Sequence, residues 1–244
     1  MKSIFITGSA DGLGLLAAKE LVKQGHWVTL HARNEIRSKE AMQLVPGAAG
    51  VLAADLSDMQ ATKRLAAEVN NLGAFDTIIH NAGVYKASAQ QILNVNTIAP
   101  YILSCLVPAR RLIYLSSSSH LSGDATLKGL KSVPPMVTYS DSKLHDLILA
   151  KAMAGKLSNV YANAIDPGWV PTKMGGADAP DDLDKGFQTQ VWLAASDDPK
   201  ALVTGKYFNH QRQAKYRTES DDVEIQEQFL SICEKICGVA FQKS

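Results

Sequence analysis

With 244 residues, 46% of them hydrophobic and 20% charged, the chain has the composition of a globular protein able to bury one sizeable core. Its 25 basic and 24 acidic residues leave a net charge of +1 and are interspersed, so no broad field favours nucleic acid or an anionic membrane surface. Three cysteines without a CxxC pair, in a chain too large to need disulfide staples, predict reduced thiols and a cytoplasmic setting.

The chain opens on an apolar run, residues 3–7, too short for a signal segment or a membrane span, which reads as a strand. From there short β-branched runs alternate with amphipathic stretches, the pattern of βαβ units around a parallel sheet. Strands are predicted over 3–7, 27–32, 50–55, 75–80, 111–116, 160–165 and 206–208, seven in all. Helices are predicted over 15–24, 36–44, 59–71, 91–106, 137–156, 183–195 and 223–236. In the first of them Leu15, Ala18, Leu21 and Val22 share a face and Gly25 is placed to end it. Cys233 and Cys237 lie four apart on the last helix, but with no His or further Cys at ligand spacing they read as packing residues, and no metal site is expected. No repeat or linker divides the chain, so residues 1–244 are expected to form a single domain. Two connections are long, at about 118–136 and 167–182, and long loops in a compact domain are often binding loops.

Between the first strand and the first helix runs Thr7-Gly8-Ser9-Ala10-Asp11-Gly12-Leu13-Gly14. Glycines in that setting allow a tight turn and a close backbone approach to a pyrophosphate, whose charge the helix N-terminus favours. An ordinary glycine turn is the competing reading; the strand–turn–helix context at the start of the chain favours a dinucleotide. The spacing Thr-Gly-x-x-x-Gly-x-Gly resembles the nucleotide fingerprint of the short-chain dehydrogenase/reductases, a resemblance that extends over nearly the whole chain. It implies a Rossmann-type doubly wound α/β fold, a seven-stranded parallel sheet with helices on both faces, and an oxidoreductase that moves a hydride between a nicotinamide and a carbonyl or alcohol carbon. The candidate phosphate and ribose contacts are Gly8, Ser9, Asp11, Gly12, Leu13 and Gly14.

Where dinucleotide folds that prefer NAD end the second strand on an acid, this chain has His31-Ala32-Arg33-Asn34. A guanidinium there pairs well with a 2′-phosphate, so Arg33, with Asn34 beside it, points to NADP(H) as the preferred cofactor and NAD(H) as the second. The alternative for Arg33 is a solvated side chain before a helix. By resemblance Asp55 and Leu56 contact the adenine, and Asn81, Ala82 and Gly83 form the turn beside its ribose.

Tyr139 and Lys143 stand four apart, on one face of a helix. A free phenol is a weak base near neutrality and a nearby cation favours its anion, so the pair suits acid–base chemistry. The resemblance makes Tyr139 the proton donor and acceptor and gives Lys143 a second task, holding the nicotinamide ribose. It also assigns a strand-end serine to the substrate oxygen: Ser117, as the second of the run Ser116-Ser117-Ser118-Ser119, with Ser118 as the alternative. Asn96 matches the helix asparagine of a water-borne proton relay. Pro100, lacking an N–H, is expected to leave the Asn96 carbonyl free in an α-helical register, with bent-core packing the competing account. Asp166-Pro167-Gly168-Trp169-Val170-Pro171-Thr172 matches the stretch in which Pro167, Gly168, Val170 and Thr172 would present the nicotinamide carboxamide.

Six scattered histidines offer no HExxH pair for a zinc-dependent dehydrogenase, and no Gly-x-Ser-x-Gly elbow supports a hydrolase. A nucleotide-binding sensor on the same fold is the remaining alternative, and retention of Tyr139 and Lys143 speaks against it. The expected substrate is a small, mostly apolar carbonyl or alcohol, met by the two long loops, Trp169 and Met174. The segment from Gly205 onward resembles the retinol-dehydrogenase-like branch of the family, without the membrane anchor common there. Family likeness also implies a homodimer or homotetramer formed through the helices that carry Asn96 and Tyr139.

Overall fold

The computed structural model describes residues 1–241. In chain order the elements are β1 (Ser3–Ile6), α1 (Gly12–Lys23), β2 (Trp27–Ala32), α2 (Glu35–Leu44), β3 (Gly50–Ala53), α3 (Met59–Asn71), β4 (Phe75–His80), α4 (Ala89–Ile92) and α5 (Ala99–Leu106). They continue with β5 (Ala109–Leu115), α6 (Lys128–Lys131), α7 (Tyr139–Lys156), β6 (Tyr161–Asp166), α8 (Leu183–Ala195), β7 (Tyr207–Asn209), β8 (Arg212–Gln213) and α9 (Val223–Cys237). One sheet runs β3-β2-β1-β4-β5-β6-β7-β8, parallel up to β7.

The apolar runs read as strands are buried on both faces, and their side chains alternate between two cores. Phe5, Ile78 and Leu112 point into the layer formed with α3, α5, α7 and α9, while Ile4, Ile6, Ile79 and Ile113 point into the layer beneath α1 and α8. The strand order reverses between β1 and β4, which opens a crevice at their carboxyl ends, the place where doubly wound sheets bind ligands.

An eighth strand, not foreseen in the sequence, adds an antiparallel edge: β8 pairs with β7 around His210 and Gln211, both with positive φ, 47° and 62°. A two-residue hairpin of this hand normally announces itself with Asn-Gly, and neither residue is of that kind. The helix predicted over 91–106 is also different. Between α4 and α5 the chain forms a π-helical stretch, Leu93–Ile98, in which the Ala99 N–H bonds back to the Asn94 carbonyl. Carried one residue on, that register sets the missing Pro100 N–H opposite Val95, so the expected release of the Asn96 carbonyl does not follow from Pro100.

Every residue of α7 from Asp141 to Met153 is buried, so this helix has no solvent stripe. Its outer side is covered by α9, whose Phe229 ring packs 5.2 Å from that of His145, and at α5 the Tyr101 hydroxyl donates to the Val239 carbonyl at 2.9 Å. Lys151 pairs with Asp221 at 2.6 Å and Lys156 with Glu227, closing the edges of the contact. The face of α7 is thus occupied by α9 within one chain.

Burial also sets the response to acid. It depresses His31 and His145 from 6.5 to about 4 and His80 to about 3. The unfolded chain thus binds more protons than the folded one between these values and 6.5, and the stability that the neutral imidazoles contribute is lost as pH falls through that window. The urea midpoint at about pH 5 is expected to lie well below that at about pH 7.5; equal midpoints would show that these histidines are not neutral in the fold.

Candidate active site

At the crevice lies a cleft of about 390 Å³, walled on one side by Gly8, Asp11, Gly12 and Leu13 at the start of α1. Gly8 (φ +63°) has no room for a side chain, since a Cβ there would fall 2.8 Å from the Ala82 Cα. A Cβ on Gly14 would come within 2.4 Å of Asn81 Nδ2, so Gly14 packs the helix onto the β4 turn beneath the cleft. Asn81 uses that amide to donate to the Thr7 and Gly8 carbonyls, both at 3.0 Å. Gly12 (φ +53°) has open space on the cleft side, the nearest atom to a built Cβ being Thr172 Cγ2 at 3.9 Å. The tight turn, the open glycine and the helix N-terminus together fit a pyrophosphate.

His31 braces this loop. Its Nδ1 accepts from the Gly8 N–H at 2.9 Å, which leaves Nε2 to donate to the Ala54 carbonyl at 3.0 Å, so the ring is neutral and spans β1 to β3. Sequence reading took His31 only as a strand residue, because both partners are distant in the chain. Ser9 and Asn34, expected as cofactor contacts, also make bonds within the fold. The Ser9 hydroxyl is fully buried, donating to the Ile6 carbonyl and accepting from the His31 N–H, both at 2.9 Å. Asn34 caps α2 by accepting from the Arg37 N–H at 3.0 Å, which turns its side chain to the helix.

Arg33 lines one end of the cleft, exposed and without a hydrogen bond or ion pair among the described residues. Asp55, Leu56 and the unforeseen Ser57 stand beside it, with Asp55 accepting from Ser57. Across the mouth, Lys173 reaches Asp11 at 2.5 Å, and Arg37 reaches the same carboxylate at 3.3 Å. Burial raises the Asp11 pKa, but the Lys173 hydrogen bond and the Gly12 N–H more than offset it and hold the carboxyl below its usual range. Pro167 and Thr172 complete this wall, Gly168 (φ +82°) makes the turn between them, and Val170 is buried behind it. Lys173 and Met174, next in sequence, line the cleft although only the latter was foreseen.

At the far end α7 brings Tyr139 and Lys143 to the cleft. Lys143 Nζ lies 5.5 Å from the Tyr139 ring centroid and donates to the Leu115 carbonyl at 2.5 Å and to Asp146 at 2.9 Å. Burial lowers the Lys143 pKa, but the Asp146 and Tyr139 charges and the Asp146 hydrogen bond bring it above the ordinary value. Asn96 is fixed by Val84, accepting from its N–H at 2.8 Å and donating to its carbonyl at 2.9 Å. A Cβ built on Gly83 would lie 3.6 Å from Asn96 Oδ1 and 3.8 Å from Lys143 Nζ, which places these two side chains together beneath that glycine. Tyr85 packs edge-on to Tyr139 with centroids 4.9 Å apart.

The serine run divides by role. Ser116 is buried and donates to the Lys143 carbonyl at 2.6 Å, which ties β5 to α7, whereas Ser117 is half-buried and accepts from the Ser119 N–H at 3.2 Å. His120, absent from the sequence reading, holds this turn: its Nδ1 meets the Ser117 carbonyl at 2.6 Å and its Nε2 accepts from the Arg217 N–H at 3.1 Å. Burial lowers its pKa against the opposing Ser117 bond, in keeping with a neutral ring.

The sheet order agrees with what comparison shows. The short chain dehydrogenase family model matches residues 2–182, and the chain belongs to that family. It is 44% identical over 253 residues to an uncharacterized oxidoreductase of Emericella nidulans, covering 98% of each. It is 24% identical to human retinol dehydrogenase 14, over 98% of this chain and 87% of that one. A short-chain dehydrogenase of Shigella flexneri complexed with NADP shares the fold, with a TM-score of 0.68, 23% identity and coverage of 86% and 97%. The chain is accordingly an oxidoreductase of the kind that acts on CH–OH and C=O groups with NAD(P).

Replacing His120 with Ala leaves the Ser117 carbonyl and Arg217 N–H without their partner in a half-buried setting, a loss of about 1–3 kcal/mol of stability in urea unfolding. An unchanged midpoint would mean that water or neighbouring groups take over both bonds.

Proposed function

We propose that this oxidoreductase prefers NADP(H) and reduces a mostly apolar carbonyl, with Tyr139 as general acid and, in the reverse direction, general base. The observation that carries the reading is the Lys143 ammonium held 5.5 Å from the Tyr139 ring at one end of a cleft whose other end bears the unpaired Arg33. When bound, the nicotinamide supplies or accepts the hydride. Gly8, Gly12 and Leu13 would cradle the pyrophosphate, Arg33 the 2′-phosphate, and the backbone of Val170 with the Thr172 hydroxyl the carboxamide. NAD(H) is the second cofactor; the NADP in the Shigella relative supports the first.

In this scheme the Ser117 hydroxyl holds the substrate oxygen while Tyr139 delivers the proton to it. Lys143 favours the phenolate left behind, and the Asn96–Lys143 neighbourhood under Gly83 is the route of reprotonation by water. Tyr85, Trp169 and Met174 are apolar surfaces, 48%, 60% and 46% exposed, which supports an apolar substrate. Residues 1–244 act as one dinucleotide-binding unit in this reading.

Among the described residues, Cys105, Cys233 and Cys237 are free and no helix is long and apolar enough to cross a membrane. We place the protein in the cytoplasm, where such thiols stay reduced. Because α9 packs along α7, we also propose that the protein works as a monomer and not as the dimer or tetramer that family likeness implies. Light scattering at micromolar concentration should return a mass near 26.3 kDa; a dimer mass would show association through another face.

Tyr139→Phe should lower kcat for carbonyl reduction by about 10²–10⁴-fold while NADPH still binds. Tight binding with no turnover by the wild type on any carbonyl of a broad panel would support the sensor instead. Arg33→Asp should lower kcat/KM for NADPH by about tenfold to a hundredfold and spare NADH, the loss expected of a charge-assisted bond; an unchanged preference contradicts the 2′-phosphate role.

A further inference from the structure

Asp146 lies one helical turn beyond Lys143 and puts a carboxylate against the ammonium on which the proposed proton transfer depends. The contact is 2.9 Å from Oδ2 to Nζ, with Asp146 3% and Lys143 5% exposed. An i,i+3 pair on a solvated helix contributes little because water screens it. Here both charges are inside the protein, so each acts on the other with little screening, and the Lys143 ammonium lies 5.5 Å from the half-buried Tyr139 ring. The ammonium is fixed at two points, since it also donates to the Leu115 carbonyl at the end of β5.

The other groups facing Asp146 are neutral near neutral pH. The Tyr114 phenol of β5 shares a 2.7 Å bond with Ser104 of α5, and Ser104 in turn meets His80 Nε2 of β4 at 3.1 Å. Burial drives the Tyr114 phenol well above its ordinary range and His80 down to about 3. Lys143, on α7 itself, completes the surroundings. The charged partner of Asp146 is therefore Lys143.

Charge counting shows what the carboxylate does. With Asp146 ionised, the set Tyr139–Lys143–Asp146 is neutral while the phenol keeps its proton, and losing that proton leaves a buried net negative charge. With an uncharged residue at 146 the same loss leaves the set neutral, so it occurs at lower pH. We propose that Asp146 is a positioning residue for this reaction: it fixes the Lys143 ammonium between β5 and the Tyr139 ring, and its charge sets the pH range over which the Tyr139–Lys143 pair yields a proton. By the same charge count an ionised Asp146 opposes loss of the phenol proton, which suits the pair to carbonyl reduction. Burial, opposed by the Lys143 ammonium, pushes the carboxyl itself up to about 6, so the restraint relaxes in mild acid. The proposal rests on the reading of Tyr139 and Lys143 as the acid–base pair.

The test is a near-ultraviolet titration of tyrosinate in cofactor-free protein, with Tyr139→Phe subtracted to isolate that phenol. In Asp146→Asn, which keeps an acceptor for Lys143, Tyr139 phenolate should form about one pH unit lower than in the wild type, about tenfold more phenolate at a fixed pH. The acid limb of kcat for alcohol oxidation should move with it. Asp146→Ser carries the same expectation should the Asn variant fail to fold. A Tyr139 titration that stays in place or moves to higher pH overturns the proposal and leaves Asp146 a structural ion-pair partner. Equal turnover by wild type and Tyr139→Phe would instead remove the acid–base reading itself, whatever position 146 does.

Discussion

Lys143 joins the main helix of the site to the central strand beside it. Its Nζ donates to the last residue of β5, Leu115, while its own carbonyl accepts from Ser116, so one residue is stitched to the strand end by both its side chain and its backbone. A buried ammonium without partners would be costly, and here Asp146 and the Leu115 carbonyl satisfy it. From this joint the rest of the catalytic end takes its place: Tyr139 lies one turn earlier on α7, and Ser117 follows Ser116. The joint also explains why α7 is buried on all sides. A helix that carries a lysine and an aspartate into the interior needs cover, and α9 provides it in the same chain.

The cofactor end is held by a different set of bonds converging on the glycine loop. His31 braces Gly8 from β2, and Asn81 braces it from the β4 turn. Two residues further along that turn, Gly83 sits over Asn96 and Lys143, so the glycine loop and the Tyr139–Lys143 end of the cleft share one short segment. Rigid positioning of this kind is what hydride transfer requires, because the reacting carbons must meet in one orientation. Asp11 and Lys173 add a contact across the cleft mouth, linking the loop after β6 to the start of α1.

Much of this was legible in the sequence because it is local. The glycine spacing, the Tyr139–Lys143 interval and the two-residue periodicity of the strands are short-range signals, and the elements appear where these put them. The misses are long-range. His31 and His120 owe their roles to partners elsewhere in the chain. Asp146 stood three residues past Lys143, yet its meaning depended on burial that periodicity does not report. The π-helical stretch and the His210-Gln211 hairpin carry no residue signature, and the cover of α7 by α9 depends on how a C-terminal helix packs.

The central claim is that a buried, charged Lys143 makes Tyr139 a proton-transfer group. Single-turnover reduction of a carbonyl by NADPH in Lys143→Met, at cofactor saturation and with the fold checked by circular dichroism, tests it directly. The account predicts a loss of about a thousandfold in the rate of the chemical step relative to wild type. A rate within tenfold of wild type would contradict it.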